Sequence, residues 1–305
     1  MRLTKENFTK AREFVHSNAR PIDQALYEYH FEGGPISTVL EELAKFQNDD
    51  GGFGNAIEPD FRLKASSPMA TSVGLQYCTQ LGIKSDHPII ERAIRYLVST
   101  YDFEDDYWPA TSLDVNDEPH APWWHVVGIA PPNESDWPNP NAELLGYLHR
   151  HSVHVPKNLL QKLNRRALRN LNSSKTIDGL YNLMCWDRAY RHLPEPLRSD
   201  AEKKLTRTIR AIAPLTSEIL REIRISWLAP STDSLFLMYP DNLYQLLREE
   251  IQKQAKDGGW WPDWKWGQYE DVWPIAEREW AGKITVHCLT TLRAFNLNDS
   301  LIEPW

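Results

Sequence analysis

Apolar residues along this chain recur at helical spacing. Ile36, Val39, Leu40, Leu43 and Phe46 fall at i, i+3, i+4, i+7 and i+10 behind Pro35, which suits a first helical position, and predict a helix over 35–47. Ser67 as N-cap, Pro68 just inside and Gly82 just beyond, with Met69, Val73, Tyr77 and Leu81 four apart, predict another over 67–82. The same reading gives helices over 4–17, 21–31, 88–101, 139–151, 156–171, 176–192, 196–213, 217–227, 240–255 and 283–296, and no stretch alternates as a strand would. The fold class is all-α. Helix 88–101 sets Glu91, Arg92 and Arg95 on one face, whereas 67–82 has no charged side chain. The first suits an outer helix with a wet face, the second an inner helix buried all round. Paired in this way, the helices predict six hairpins closing into a single α/α toroid domain over 1–305. No repeat of fixed period and no polar capping pair favours an open solenoid.

One internal echo stands out. Gln47-Asn48-Asp49-Asp50-Gly51-Gly52-Phe53 returns as Gln254-Ala255-Lys256-Asp257-Gly258-Gly259-Trp260, each copy closing an outer helix and preceding an inner one. Glycines that supply left-handed conformations and an aromatic that folds back describe a helix stop, so Asp50 and Asp257 read as structural. With this element and the helices Ala70-Thr71-Ser72-Val73-Gly74-Leu75 and Ile284-Thr285-Val286-His287-Cys288-Leu289, the chain resembles the terpenoid cyclase/protein prenyltransferase α/α-toroid superfamily, also called squalene-cyclase-like. The resemblance implies a toroid and an isoprenoid-type chemistry. It does not carry over that superfamily's reactive motifs. Asp102-Phe103-Glu104-Asp105 departs from the Asp-x-Asp-Asp acid of class II cyclases, and Asp49-Asp50-Gly51-Gly52-Phe53 lacks the magnesium motif of class I. Gln76, Leu183 and Val286 stand where the prenyltransferase zinc site needs an Asp two residues before a Cys.

In a ring of hairpins the outer-to-inner connections share one end. Three connections, about 48–66, 102–138 and 256–282, are long for helix–helix links and should build a mouth there. Trp is unusually frequent, 13 against Phe 9 and Tyr 12, and Trp108, Trp123, Trp124, Trp137, Trp260, Trp261, Trp264, Trp266, Trp273 and Trp280 all fall in two of these loops. Carboxylates beside indoles lose hydration and become better general acids. The catalytic candidates are Asp117 and His120, within Asn116-Asp117-Glu118-Pro119-His120-Ala121-Pro122-Trp123-Trp124-His125, and Glu58 and Asp60, which could instead pair with Arg62 and Lys64. Substrate-binding candidates are Trp123, Trp124, Trp264, Trp266, Trp280, Arg62 and Glu279; Glu277 and Glu279 could equally favour the N-terminal end of the last inner helix. Asp117 and His120 alone do not define a metal site; no cofactor is predicted, with a divalent metal left open. His149, His151 and His154 read as surface residues.

Charge narrows the partners. Lys+Arg 34 against Asp+Glu 42 gives −8, with no basic stripe, which argues against nucleic acid and anionic membrane surfaces. No apolar run could span a bilayer or serve as a signal peptide, and Cys78, Cys185 and Cys288 read as free buried thiols, so a cytoplasmic protein with a small-molecule substrate is expected. Three functions fit. The first is a cyclase- or prenyltransferase-like enzyme that transfers a proton from a carboxylic acid to an isoprenoid or other largely apolar substrate in an aromatic cavity. The second is a carbohydrate-active enzyme, of glycoside hydrolase or polysaccharide lyase type, with tryptophans as sugar platforms. The third is a non-catalytic ligand- or protein-binding toroid. A wall with one acid favours the first, whereas several acids around indoles favour the second.

Overall fold

The structure, a computed structural model, describes residues 2–128, 130–215, 219 and 222–298. It is all-α. Among the described residues the helices are α1 (Lys5–Asn18), α2 (Pro21–Phe31), α3 (Ile36–Ala44), α4 (Pro68–Gln80), α5 (Pro88–Thr100), α6 (Pro138–Arg150), α7 (Lys157–Asn172), α8 (Leu180–Tyr190), α9 (Leu197–Ile212), α10 (Ile225–Leu228), α11 (Pro240–Gln252) and α12 (Trp273–Ala294). Short 3₁₀ helices, among them Leu113–Asp117 and Pro122–Trp124, and isolated β-bridges accompany them. Of the expected helix over 217–227, residues 217, 218, 220 and 221 lie outside the described residues, and α10 begins only at Ile225. The last helix departs furthest from expectation: it begins at Trp273, not 283, because Pro274 suits its first turn and Trp273, Ala276, Trp280 and Ile284 continue a buried helical face. The third long connection is shorter accordingly.

The chain folds as two compact units, the first made of Met1–Leu43 with Ile212–Trp305 and the second of Ala44–Ala211. In the second unit α4 packs on α5 and α6, and α6 packs on α7 and α8. Here the inner and outer characters separate as the sequence pattern implies. Ser67 caps α4 by accepting from the Ala70 amide at 3.1 Å, and α4 is buried around most of its circumference, from Pro68 to Cys78. By contrast, α5 buries Ile89, Ile90, Ala93, Ile94, Tyr96 and Leu97 and turns Arg92 and Arg95 to solvent. In the first unit α12 packs on α1, α2 and α10, joining the two ends of the sequence; the Leu3 amide donates to the Leu297 carbonyl at 2.8 Å.

The two copies of the echoed heptad make matching contacts. Gln47 donates its side-chain amide to the Gly51 and Ile89 carbonyls, each at 2.9 Å. Gln254 does the same to Gly258 at 2.9 Å and Asn7 at 2.8 Å. Asp50 accepts from the Gly52 amide at 2.9 Å and Asp257 from the Gly259 amide at 3.0 Å, so both aspartates hold the turn, as a structural reading requires. The following aromatic, Phe53 or Trp260, is fully buried, and its amide donates to a threonine hydroxyl of the next inner helix, Thr71 at 3.0 Å and Thr285 at 2.9 Å. Gly51 and Gly258 sit at φ +90° and +95°, pressed against the Arg92 and Lys10 backbones. Asn7 and Lys10 of α1 thus serve the second copy as Ile89 and Arg92 of α5 serve the first.

A Cβ on Gly51 would fall on the Arg92 carbonyl and one on Gly258 on the Lys10 carbonyl, whereas Gly82, at φ +67°, faces open space. Gly51→Ala and Gly258→Ala are each expected to lower stability by about 3 kcal/mol or more, from backbone strain plus overpacking. Gly82→Ala carries the strain alone and should cost about 1 kcal/mol. Urea unfolding of the three variants checks this, and equal losses at all three would overturn the packing argument.

Candidate functional site

The first long connection folds inward. Asn55 and Ala56, at φ 54° and 58°, take left-handed conformations that side chains with a Cβ seldom adopt. The amides of Asn55 and Ala56 donate to the Lys64 and Leu63 carbonyls at 3.2 and 3.4 Å, pinching the segment into a closed turn. Asn48 braces it, donating to the Lys64 carbonyl at 2.9 Å and the Ser66 hydroxyl at 3.0 Å. At its tip Ile57, Glu58, Pro59, Asp60 and Phe61 are all buried. Connections ordinarily run over the surface, so a tip that buries two carboxylates, Glu58 at 9% and Asp60 at 4% exposure, is unusual.

The second long connection pairs with this tip through its backbone. The Arg62 amide donates to the Pro119 carbonyl at 2.8 Å and the Ala121 amide to the Asp60 carbonyl at 2.7 Å, bridging Phe61 and His120. Pro119 and Pro122 flank the crossing, and the Asn116 side chain closes the loop behind it, donating to the Val126 carbonyl at 2.7 Å and accepting from its amide at 2.9 Å. His120 is buried. Its Nδ1 lies 2.6 Å from the Glu118 carbonyl, which can only accept, so Nδ1 carries a proton. In the neutral ring Nε2 is then the basic nitrogen, 3.3 Å from Nδ1 of His125, whose ring stacks on His120 at 5.5 Å. Trp124 meets Phe61 edge-on at 5.1 Å, and its buried indole N–H finds no hydrogen-bond partner.

Glu58, Asp60, Arg62, His120, Trp123 and Trp124 therefore belong to one construction in the second unit. Trp123 is about half exposed beside it. Asp117 belongs to the same loop but stands in solvent at the end of a 3₁₀ turn. Trp264, Trp266, Trp280 and Glu279 belong to the first unit. Trp280 and Glu279 ride on α12 and are not loop residues, for the helix starts before them. Trp227, Trp264 and Trp280 form a triangle of indoles 5.4–6.0 Å apart, with the Lys283 ammonium 4.9 Å from the Trp280 ring, and Trp266 packs on Trp273 at 5.4 Å.

Sequence reasoning missed two buried ionic networks, one in each unit. In the second, Glu143 on α6 accepts from Gln76 at 2.8 Å, Tyr147 at 2.6 Å and Arg188 at 2.9 Å, with the Cys185 thiol at 3.8 Å. In the first, Glu250 on α11 accepts from Arg224 at 2.7 Å and faces the Cys288 thiol at 3.3 Å. Burial, then the adjoining carboxylate, pushes both thiols well above the ordinary range, so they are inert. All three cysteines are free and buried, as expected. For Glu143 the available signal was a lone charge in the otherwise apolar stretch 142–148; Glu250, beside Arg248 and Glu249 on the outer helix α11, gave none. His151 also departs from expectation: it is buried, bonded to the Ser85 hydroxyl at 2.9 Å. No helix among the described residues is long and apolar enough to cross a membrane. Compared with protein-family models, curated proteins and solved structures, the chain matches none.

Asp187 on α8 has a buried carboxylate oxygen with no hydrogen-bond partner. Burial pushes its pKa up to about 6, against the lowering pull of Arg191 and Arg188. Between the ordinary 3.8 and about 6 the folded state then binds more protons than the unfolded one, so this group's contribution makes stability fall as pH rises through that window. The stability difference between the wild type and Asp187→Asn should therefore shift in favour of the variant on going from pH 4 to pH 7, and urea midpoints across that range measure it. A difference independent of pH would exclude the raised pKa.

Proposed function

We propose that this chain is an acid–base enzyme whose reacting groups are Glu58, Asp60 and His120, and that it takes a polyhydroxylated, carbohydrate-type substrate. The observation that carries the reading is the backbone pairing of two loops that buries two carboxylates and an imidazole together, next to indoles. A hydroxylated ring offers donors that a carboxylate can accept and an apolar face that can lie on Trp123 or Trp124, whereas a hydrocarbon offers no donor. In this scheme one carboxyl donates a proton to the leaving oxygen, and the second carboxylate or His120 Nε2 accepts one from the attacking hydroxyl or water. The strained turn at Asn55 and Ala56 holds the acids in place. No metal is required by these roles.

A second reading, isoprenoid-type chemistry on a largely apolar substrate, rests on the superfamily resemblance and on the indole triangle of Trp227, Trp264 and Trp280, a surface suited to a carbocation. Both readings take the fold to be an α/α toroid. The equivalence of α1 and α5 toward the two heptads supports that arrangement, since the last repeat then treats the first helix as its next neighbour.

Turnover of an oligosaccharide panel, of prenyl diphosphates and of squalene separates the readings. On the first, Glu58→Gln, Asp60→Asn and His120→Ala each lower turnover of a saccharide by about 100-fold or more with the helical circular dichroism unchanged. On the second, a prenyl substrate is consumed and Trp264→Ala or Trp280→Ala abolishes it. Saccharide turnover indifferent to all three acid–base substitutions would overturn the site, and binding without turnover would favour a non-catalytic toroid.

A further inference from the structure

The hairpin of α1 and α2 carries a cluster that the loop chemistry leaves unused. His16, near the end of α1, points its ring between Glu28 of α2 and Glu32, the residue that caps the C-terminal end of that helix. Nε2 of His16 lies 3.3 Å from the Glu32 carboxylate and Nδ1 3.9 Å from that of Glu28. One donor atom from each residue falls within 4.8 Å of the others, which makes this the single such His/Cys/Asp/Glu group among the described residues. We propose that His16, Glu28 and Glu32 bind a divalent transition-metal ion of zinc type, with water completing the coordination.

The donor set matches the ion. One imidazole and two carboxylates form a mixed nitrogen–oxygen triad that suits zinc, cobalt or nickel better than calcium or magnesium, which prefer oxygen alone. Bringing three donors onto an ion at about 2 Å needs side-chain adjustment only, for the backbones are already set. Gln24 ties α2 to the end of α1, donating to the Ala19 carbonyl at 2.8 Å and to that of His16 at 3.3 Å. Below them the buried Arg20–Asp23 pair, at 2.8 Å, fixes the turn. The Tyr27 ring meets the His16 imidazole edge-on at 5.6 Å and limits its rotation. The fourth neighbour is Arg12, whose guanidinium contacts one oxygen of Glu32 at 2.7 Å. It leaves the other oxygen to the ion and orients the carboxylate, in the manner of an outer-sphere partner. All three donors are part-exposed, so an ion reaches them from solvent.

The test uses the full chain stripped with EDTA, titrated with zinc chloride by calorimetry and with cobalt(II), whose visible absorption reports nitrogen–oxygen coordination. The expected result is saturable uptake at one ion per chain, with a rise in the thermal midpoint. His16→Ala abolishes it, Glu28→Gln weakens it by about 10-fold or more, and His154→Gln leaves it intact. Glu28→Gln preserves the shape of an exposed side chain, so it reads ligand loss even if His16→Ala disturbs the hairpin. Absence of one-to-one uptake in the wild type, or uptake unaltered in Glu28→Gln, would overturn the assignment.

Discussion

The structure depends on one small construction used twice, a glutamine side chain that ties its own turn to the start of a neighbouring outer helix. Gln47 and Gln254 each join the carbonyl of their own turn, Gly51 or Gly258, to a carbonyl in the first turn of a neighbouring outer helix, Ile89 of α5 or Asn7 of α1. Each bridge is made possible by a glycine at strongly positive φ whose missing side chain lets the turn lie on the neighbour's backbone. The buried aromatic and the threonine of the inner helix then fix where that helix begins. Turn, outer helix and inner helix are thereby positioned as a set, and the loops that follow inherit a defined starting point.

The loop carrying Glu58 and Asp60 leaves directly from the first of these turns. Its left-handed residues and its burial carry a conformational and desolvation cost that the second loop offsets with backbone hydrogen bonds. Without that pairing a turn bearing two carboxylates would be hydrated and mobile. With it the tip that buries Glu58 and Asp60 and the loop that carries His120 and Trp124 are held together.

The buried ion pairs serve a different purpose. Glu143–Arg188 and Glu250–Arg224 lie inside separate units, each beside a cysteine whose thiol is raised out of the reactive range. A buried pair seldom adds net stability over apolar packing, but each half is costly to leave alone. Such pairs therefore penalise any packing of α6 with α8, or of α10 with α11 and α12, that separates them.

Helical periodicity, proline and glycine punctuation and the N-cap at Ser67 are local properties, so the all-α class, most helix positions and the structural role of Asp50 and Asp257 could be read from residue order alone. The start of α12 could not, because a stretch dense in Trp and charge looks like a loop until the face of Trp273, Ala276 and Trp280 finds something to cover it. The same holds for Glu58, Asp60 and His120. Their residue types marked them as candidates, but burial, the proton on Nδ1 of His120 and the separation of the solvent-exposed Asp117 from these groups follow from contacts between segments about 60 residues apart. The partners of Glu143 and Glu250 and the meeting of His16 with Glu28 and Glu32 were likewise decided in tertiary space. Hydrogen bonds and ion pairs need atoms within a few ångströms, and only the folded chain sets those distances.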